Sequence, residues 1–174
     1  SAYKDFHLQY IAGEWQSGQD DSVNTDTNPY NGDTLIEIQQ ATSEQLDEAY
    51  QAATAAQKEW AQKTPAERAA IMYKVVNVLD QRKDEIVDWL TKESGSTRIK
   101  AMVEFNSARS ITLEAATFPN RVHGEIRPSN IPGKEHFIYR EPIGVVAVIS
   151  PWNFPFHLTQ RSIAPALALG NAVV

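Results

Sequence analysis

Cysteine is missing from this chain of 174 residues, which excludes a disulfide framework and leaves no thiol for covalent catalysis. Long hydrophobic runs are missing too: nothing approaches the roughly 18 consecutive apolar residues of a membrane span. The N-terminus lacks the basic, apolar, small-residue succession of a secretory signal, so the cytoplasm is the expected compartment. Positive charge is scarce, with 16 Lys and Arg against 22 Asp and Glu and a net charge of −6. A nucleic-acid surface needs a basic face to neutralise phosphates, so neither nucleic acid nor membrane is an expected partner. His7, His123, His136 and His157 are scattered, with no paired spacing on one helix face, and no metal site is expected. The Gly-x-Gly-x-x-Gly dinucleotide fingerprint is absent, as are internal repeats and low-complexity tracts.

What is present begins with short strands and continues with helices. Residues 8–16 read as a hairpin turned at Gly13, with Tyr10 and Trp15 as packing residues, and Thr34 to Gln39 alternates as a half-buried strand. Ser43 is suited to cap a helix carrying Leu46, Ala49, Tyr50, Ala53, Ala56 and Trp60 on one stripe. Thr64-Pro65-Ala66-Glu67 is a capping box with proline at the first helical position. The apolar stripe Ile71, Val75, Val78, Leu79, Ile86, Trp89, Leu90 then covers two helices broken near residues 80–84. A further helix over 99–122 carries Met102, Phe105, Ala108, Ile111 and Ala115, with Pro119 kinking or ending it. Residues 124–142 change character: two strand-like runs surround a Pro-Gly turn and need something further to pair with.

The most informative stretch is Gly144-Val-Val-Ala-Val-Ile-Ser150-Pro-Trp-Asn153-Phe-Pro155. Its unbroken apolar run suits a strand covered on both faces, as in a parallel sheet. Pro151 and Pro155 halt the ladder, and a helical pattern follows up to a stop at Gly170 and Asn171. Strand, turn and helix in this order form the first half of a βαβ unit. Ligands in such α/β folds sit beyond the carboxyl ends of strands, which is where Trp152 and Asn153 fall.

Ile149-Ser-Pro-Trp-Asn-Phe-Pro155 followed by Ala164-Pro-Ala-Leu-Ala-Leu-Gly-Asn-Ala-Val-Val174 resembles the aldehyde dehydrogenase superfamily. Tyr10-Ile-Ala-Gly-Glu-Trp15, Asn28-Pro29-Tyr30, Trp60 before Thr64-Pro-Ala-Glu-Arg68, and Tyr139-Arg-Glu-Pro-Ile-Gly-Val145 are compatible with the same family, so the resemblance covers essentially the whole chain. It implies an α/β fold, the N-terminal part of a Rossmann-like cofactor-binding domain with a β-ribbon oligomerisation arm. It divides the chain into 1–123 and 143–174 of the NAD(P)-binding domain, with the arm at 124–142 between them. It also implies a longer protein, whose nucleophilic cysteine and general-base glutamate lie past Val174, so that the 174 residues alone are inactive. The activity implied is oxidation of an aldehyde to a carboxylic acid with NAD or NADP, through a thioester, in a homo-oligomeric dimer or tetramer.

The resemblance assigns roles residue by residue. Asn153 supplies an amide to the alkoxide formed when the thiolate attacks; a neutral donor fixed at that oxygen stabilises charge as it develops. Its competing role is a helix cap, to which asparagine is equally suited. Ile149, Ser150, Pro151, Trp152 and Asn153 form the cofactor wall, although Trp152 is also an ordinary core aromatic. Phe154, Leu158 and Arg161 line the aldehyde tunnel, and steps of four and three put them on adjacent turns of one helix face. Phe154 and Leu158 equally suit a core. Arg161 with Ser162-Ile-Ala-Pro-Ala-Leu-Ala-Leu-Gly170 resembles the branch acting on benzaldehyde, vanillin and salicylaldehyde, which points to an aromatic substrate. Two other readings stand beside this one: a non-catalytic dehydrogenase relic acting through its ribbon, and an acyl-phosphate or semialdehyde reductase of the same architecture.

Overall fold

The computed structural model describes residues 5–174. Strands β1 (Gln9–Ile11) and β2 (Glu14–Gln16) form the expected hairpin. Its two-residue turn puts both Ala12 (φ 53°) and Gly13 (φ 89°) in the left-handed region. Tyr10 and Trp15 pack on each other with ring centroids 5.0 Å apart, and both stay exposed rather than entering the core. Strand β4 (Thr34–Gln39) has the predicted bounds; its antiparallel partner β3 (Val23–Thr27) was not anticipated, because its sequence is polar and without alternation.

Helix α1 (Ser43–Gln62) is capped by Thr42, one residue before the expected Ser43. The reason is Gln45: three residues after Thr42, it completes a reciprocal capping box, and its amide also bonds Gln19 N–H at 2.8 Å and the Ser17 carbonyl at 3.1 Å. Helix α2 (Pro65–Gln81) starts at the Thr64–Glu67 box as predicted, and α3 (Lys83–Glu93) follows the predicted break. The buried face of α2 is Ala69, Met72 and Val76, while Ile71 and Val78 of the expected stripe are exposed. Helix α4 (Arg98–Ala115) ends well short of Val122. Pro119 has no N–H to offer the Ala115 carbonyl, and the chain tightens into a 3-10 turn at Phe118–Asn120.

Helix α4 is the centre of the helical layer. With α2 and helix α5 (Pro155–Ala168) it builds a core of Met72, Ala115, Ala116, Ala164 and Ala168, and the alanines let these helices approach closely. With α3 it builds a second core of Val87, Leu90, Ala101 and Phe105, against which Phe156 packs. Strands β5 (Glu125–Pro128) and β6 (Glu135–Ile138) pair with each other and with no other described strand, and β6 is exposed along its length.

The run after Gly144 forms strand β7 at Val145–Val146 only. It pairs in parallel with β8 (Ala172–Val173), Val145 opposite Ala172 and Val146 opposite Val173, so β7, α5 and β8 complete the βαβ unit that the sequence half-described. The expectation of a strand through Ile149 buried on both faces is corrected. One last ladder bond runs from Val148 N–H to the Val174 carbonyl at 2.8 Å, and Ile149 is 96% exposed.

Candidate active site

The residues singled out by sequence lie in the loop from β7 into α5 and on the first turns of α5, and two anchors fix that loop. The first is Asn171, just past α5 and only 8% exposed. Its Oδ1 accepts from the backbone N–H of Ile143 at 2.8 Å and of Gly144 at 3.1 Å, and its Nδ2 donates to the Ala166 carbonyl at 3.1 Å. One side chain therefore ties the entry of β7 to the last turn of α5. Gly170 precedes it at φ 93°, with Pro142 so close that a Cβ would lie 2.9 Å from its Cγ.

The second anchor lies at the start of α5. Phe154 is the N-cap residue and offers no side-chain oxygen, and Asn153 does not cap the helix. Glu104 does so from α4. Its side chain is fully buried; Oε1 accepts from Phe156 N–H at 2.7 Å and His157 N–H at 3.3 Å, and Oε2 lies 3.4 Å from Lys100 Nζ. Lys100 also donates to Ser96 Oγ at 2.8 Å, and its ammonium sits 4.9 Å from the centroid of the Phe154 ring. A carboxylate on first-turn amides complements the positive end of the helix dipole.

The other end of α5 is satisfied from α1 and α2. Trp60 Nε1 donates to the Leu167 carbonyl at 2.8 Å, Arg68 Nε to Ala168 at 3.1 Å, and Gln57 Nε2 to Gly170 at 3.0 Å. Carbonyls orphaned by the end of the helix thus find fixed donors, and the cation of Arg68 suits the negative pole. Because α5 is tied at both ends, the loop that feeds it inherits a fixed exit.

Within that frame Ile149, Ser150, Pro151, Trp152 and Asn153 make one continuous loop at the carboxyl end of β7. Trp152 is 86% exposed, Pro151 and Asn153 are exposed, and Ser150 is half-buried. The Asn153 side chain makes no hydrogen bond among the described residues. Phe154 and Leu158 are half-buried and Arg161 is exposed on the first turns of α5. These three are joined to the loop by chain continuity. A cavity of about 520 Å³ lies between the β3–β4 hairpin and α3, reaching Pro155, Phe156 and Thr159. Beside it, burial raises the Asp26 carboxyl above the usual range, and burial together with the charge of Asp26 raises Glu93.

Sequence reasoning missed Glu104 and read Asn171 only as a helix stop. A signal for the first existed: a glutamate between Ala101, Phe105 and Ala108 interrupts the buried face of α4 and demands a partner.

Residues 15–174 match the aldehyde dehydrogenase family. Over 164 residues the chain is 54% identical to a vanillin dehydrogenase of Corynebacterium glutamicum, covering 94% of this chain and 34% of that protein. A benzaldehyde dehydrogenase of Bacillus subtilis is 44% identical over 172 residues, 99% of this chain and 36% of the relative. The crystal structure of an NAD-dependent benzaldehyde dehydrogenase from Corynebacterium glutamicum superposes with a TM-score of 0.94 at 53% identity, over 96% of this chain and 36% of that one. The chain thus spans about a third of the length of the curated relatives it matches.

Proposed function

The chain belongs to the aldehyde dehydrogenase family, and on that premise we propose that the protein oxidises an aldehyde to a carboxylic acid with NAD or NADP. The observation that carries the proposal is Asn153: a neutral amide on an exposed strand-end loop, with no hydrogen bond to the described residues. Its N–H donates to the carbonyl oxygen as a nucleophile adds and charge collects there. These 174 residues contain no cysteine, so the nucleophile of the family's thioester route is supplied from outside them.

Residues 149–152 fit the cofactor. They follow a strand of a βαβ unit at its carboxyl end, the backbone leaves the β ladder after Val148, and Trp152 offers an open aromatic surface. Held there, the nicotinamide would supply the hydride acceptor for the oxidation. An NAD-dependent solved relative favours NAD over NADP. Phe154, Leu158 and Arg161 form the substrate wall, and vanillin and benzaldehyde dehydrogenases among the relatives favour an aromatic aldehyde. Within this reading 1–123 and 143–174 belong to the cofactor-binding domain. Residues 124–142 form an arm whose exposed Ile126, Phe137 and Tyr139 pair with another copy in a homo-oligomeric dimer or tetramer.

Asn153→Ala in the full-length protein is expected to lower kcat by about two to three orders of magnitude and to alter the dissociation constant for NAD far less. Unchanged activity per molecule with a lowered melting temperature would show a purely structural asparagine. Benzaldehyde turnover below that of short aliphatic aldehydes would remove the aromatic assignment, and a monomeric mass by light scattering would remove the arm.

A further inference from the structure

We infer that Glu104 is a positioning residue for the proposed reaction: by capping α5 from a neighbouring helix it frees the Asn153 amide for the substrate and holds the turn that presents it. The inference rests on the role of Asn153 proposed above.

The donors at the start of α5 can be followed one by one. Pro155 has no N–H, Phe156 and His157 donate to Glu104 Oε1, and Leu158 donates to the Phe154 carbonyl at 3.0 Å. No amide in this first turn is left for a local side chain to satisfy. Without Glu104, the nearest preceding side-chain oxygen along the chain is that of Asn153, one residue before the N-cap Phe154 and of a type suited to accept from helix-start amides. An Asn153 turned inward to cap would be lost to the substrate. The two roles compete for one side chain, and Glu104 decides the competition.

Burial points the same way. A fully buried carboxylate on the apolar face of α4 is costly unless its oxygens are well bonded, and core filling alone is better served by an apolar residue. Here one oxygen takes two amides and the other faces Lys100, so the group is built into a polar tie between α4 and the 154–157 turn. That tie lies three residues from Asn153, while the loop itself is exposed from Pro151 to Asn153.

The test is a double-mutant cycle in the full-length enzyme, with Glu104→Ala and Asn153→Ala alone and combined, following kcat, KM for aldehyde, NAD dissociation constant and melting temperature. Glu104→Ala is expected to lower kcat about 30-fold with little change in NAD affinity, because a displacement of about 1 Å can cost a hundredfold. In the Asn153→Ala background the same substitution is expected to lower kcat no more than about twofold, since residues acting through one another are not additive. The drop in melting temperature should be larger in the Asn153→Ala background, where no side chain remains to take over the cap. Glu104→Gln, which keeps shape and an acceptor oxygen, carries the test where Glu104→Ala does not accumulate; about fivefold and less than about twofold are then expected in the two backgrounds. Equal losses of kcat in both backgrounds would overturn the inference while leaving the function of Asn153 intact. An Asn153→Ala enzyme with unchanged kcat would overturn both.

Discussion

Asn171 offers a prediction whose magnitude follows from counted bonds. Replacing it by leucine removes two acceptor contacts to the backbone of Ile143 and Gly144 and one donor contact to Ala166. At about 1 kcal/mol net for each bond the loss would reach about 3 kcal/mol. Two features reduce it: Ile143 is exposed, so water can take over its amide, and the Ala166 carbonyl keeps the bond from the backbone N–H of Asn171 at 3.0 Å. A cost of about 2 kcal/mol remains, which lowers the melting temperature of a cooperative unit of about 150–250 residues by about 4–8 °C and of a longer one by less. Aspartate separates the contributions. It keeps both acceptor contacts but sets a carboxylate oxygen against the Ala166 carbonyl, so it should lie between asparagine and leucine. Thermal unfolding of the full-length protein and its two variants measures the order. A leucine variant within about 1 °C of the parent, or more stable than the aspartate variant, would refute the view that this side chain fastens β7 to α5.

Ala12 is held at φ 53°, a conformation costing an L-residue about 1 kcal/mol and tolerated by asparagine, so Ala12→Asn should raise the melting temperature by about 2–4 °C; no rise would mean that the turn relaxes in solution. Glu93 has its folded-state carboxyl raised, first by burial and then by the charge of Asp26. Folding therefore favours its protonated form, a contribution present below the unfolded value near about 4 and lost as pH rises through the raised one. Glu93→Gln should accordingly stabilise the protein at neutral pH and leave it nearly unchanged at pH values around 4, as read by melting curves across that interval; the opposite pH dependence would refute the assignment.

The legible parts of the fold were those written in local chemistry. The Thr64–Glu67 box starts a helix because its two side chains satisfy amides within four residues of each other, and strand β4 alternates because one face is half-buried. What escaped depended on distant partners. Strand β3 has no pattern of its own and is fixed by pairing with β4, while α1 begins at Thr42 partly because Gln45 also serves Ser17 and Gln19. The face that α2 buries was likewise set from outside: Met72 meets alanines of α4 and α5, and Ile71 is left at the surface.

The loop of the site was legible as a segment because prolines and an apolar run mark its limits, yet its chemistry hung on an ambiguity that no local reading resolves. An asparagine two residues before a helix is a cap or a free donor, and the choice belongs to whatever else reaches the helix amides. Glu104, 49 positions earlier than Asn153 in the chain, reaches them. Its signature in sequence is an inconsistency, a charged residue on the buried face of α4. Local rules broken without local compensation mark places where the compensation is tertiary, and such places gather at functional sites. Here the charge buried in one helix and the amide left unbonded before another are the two halves of a single arrangement.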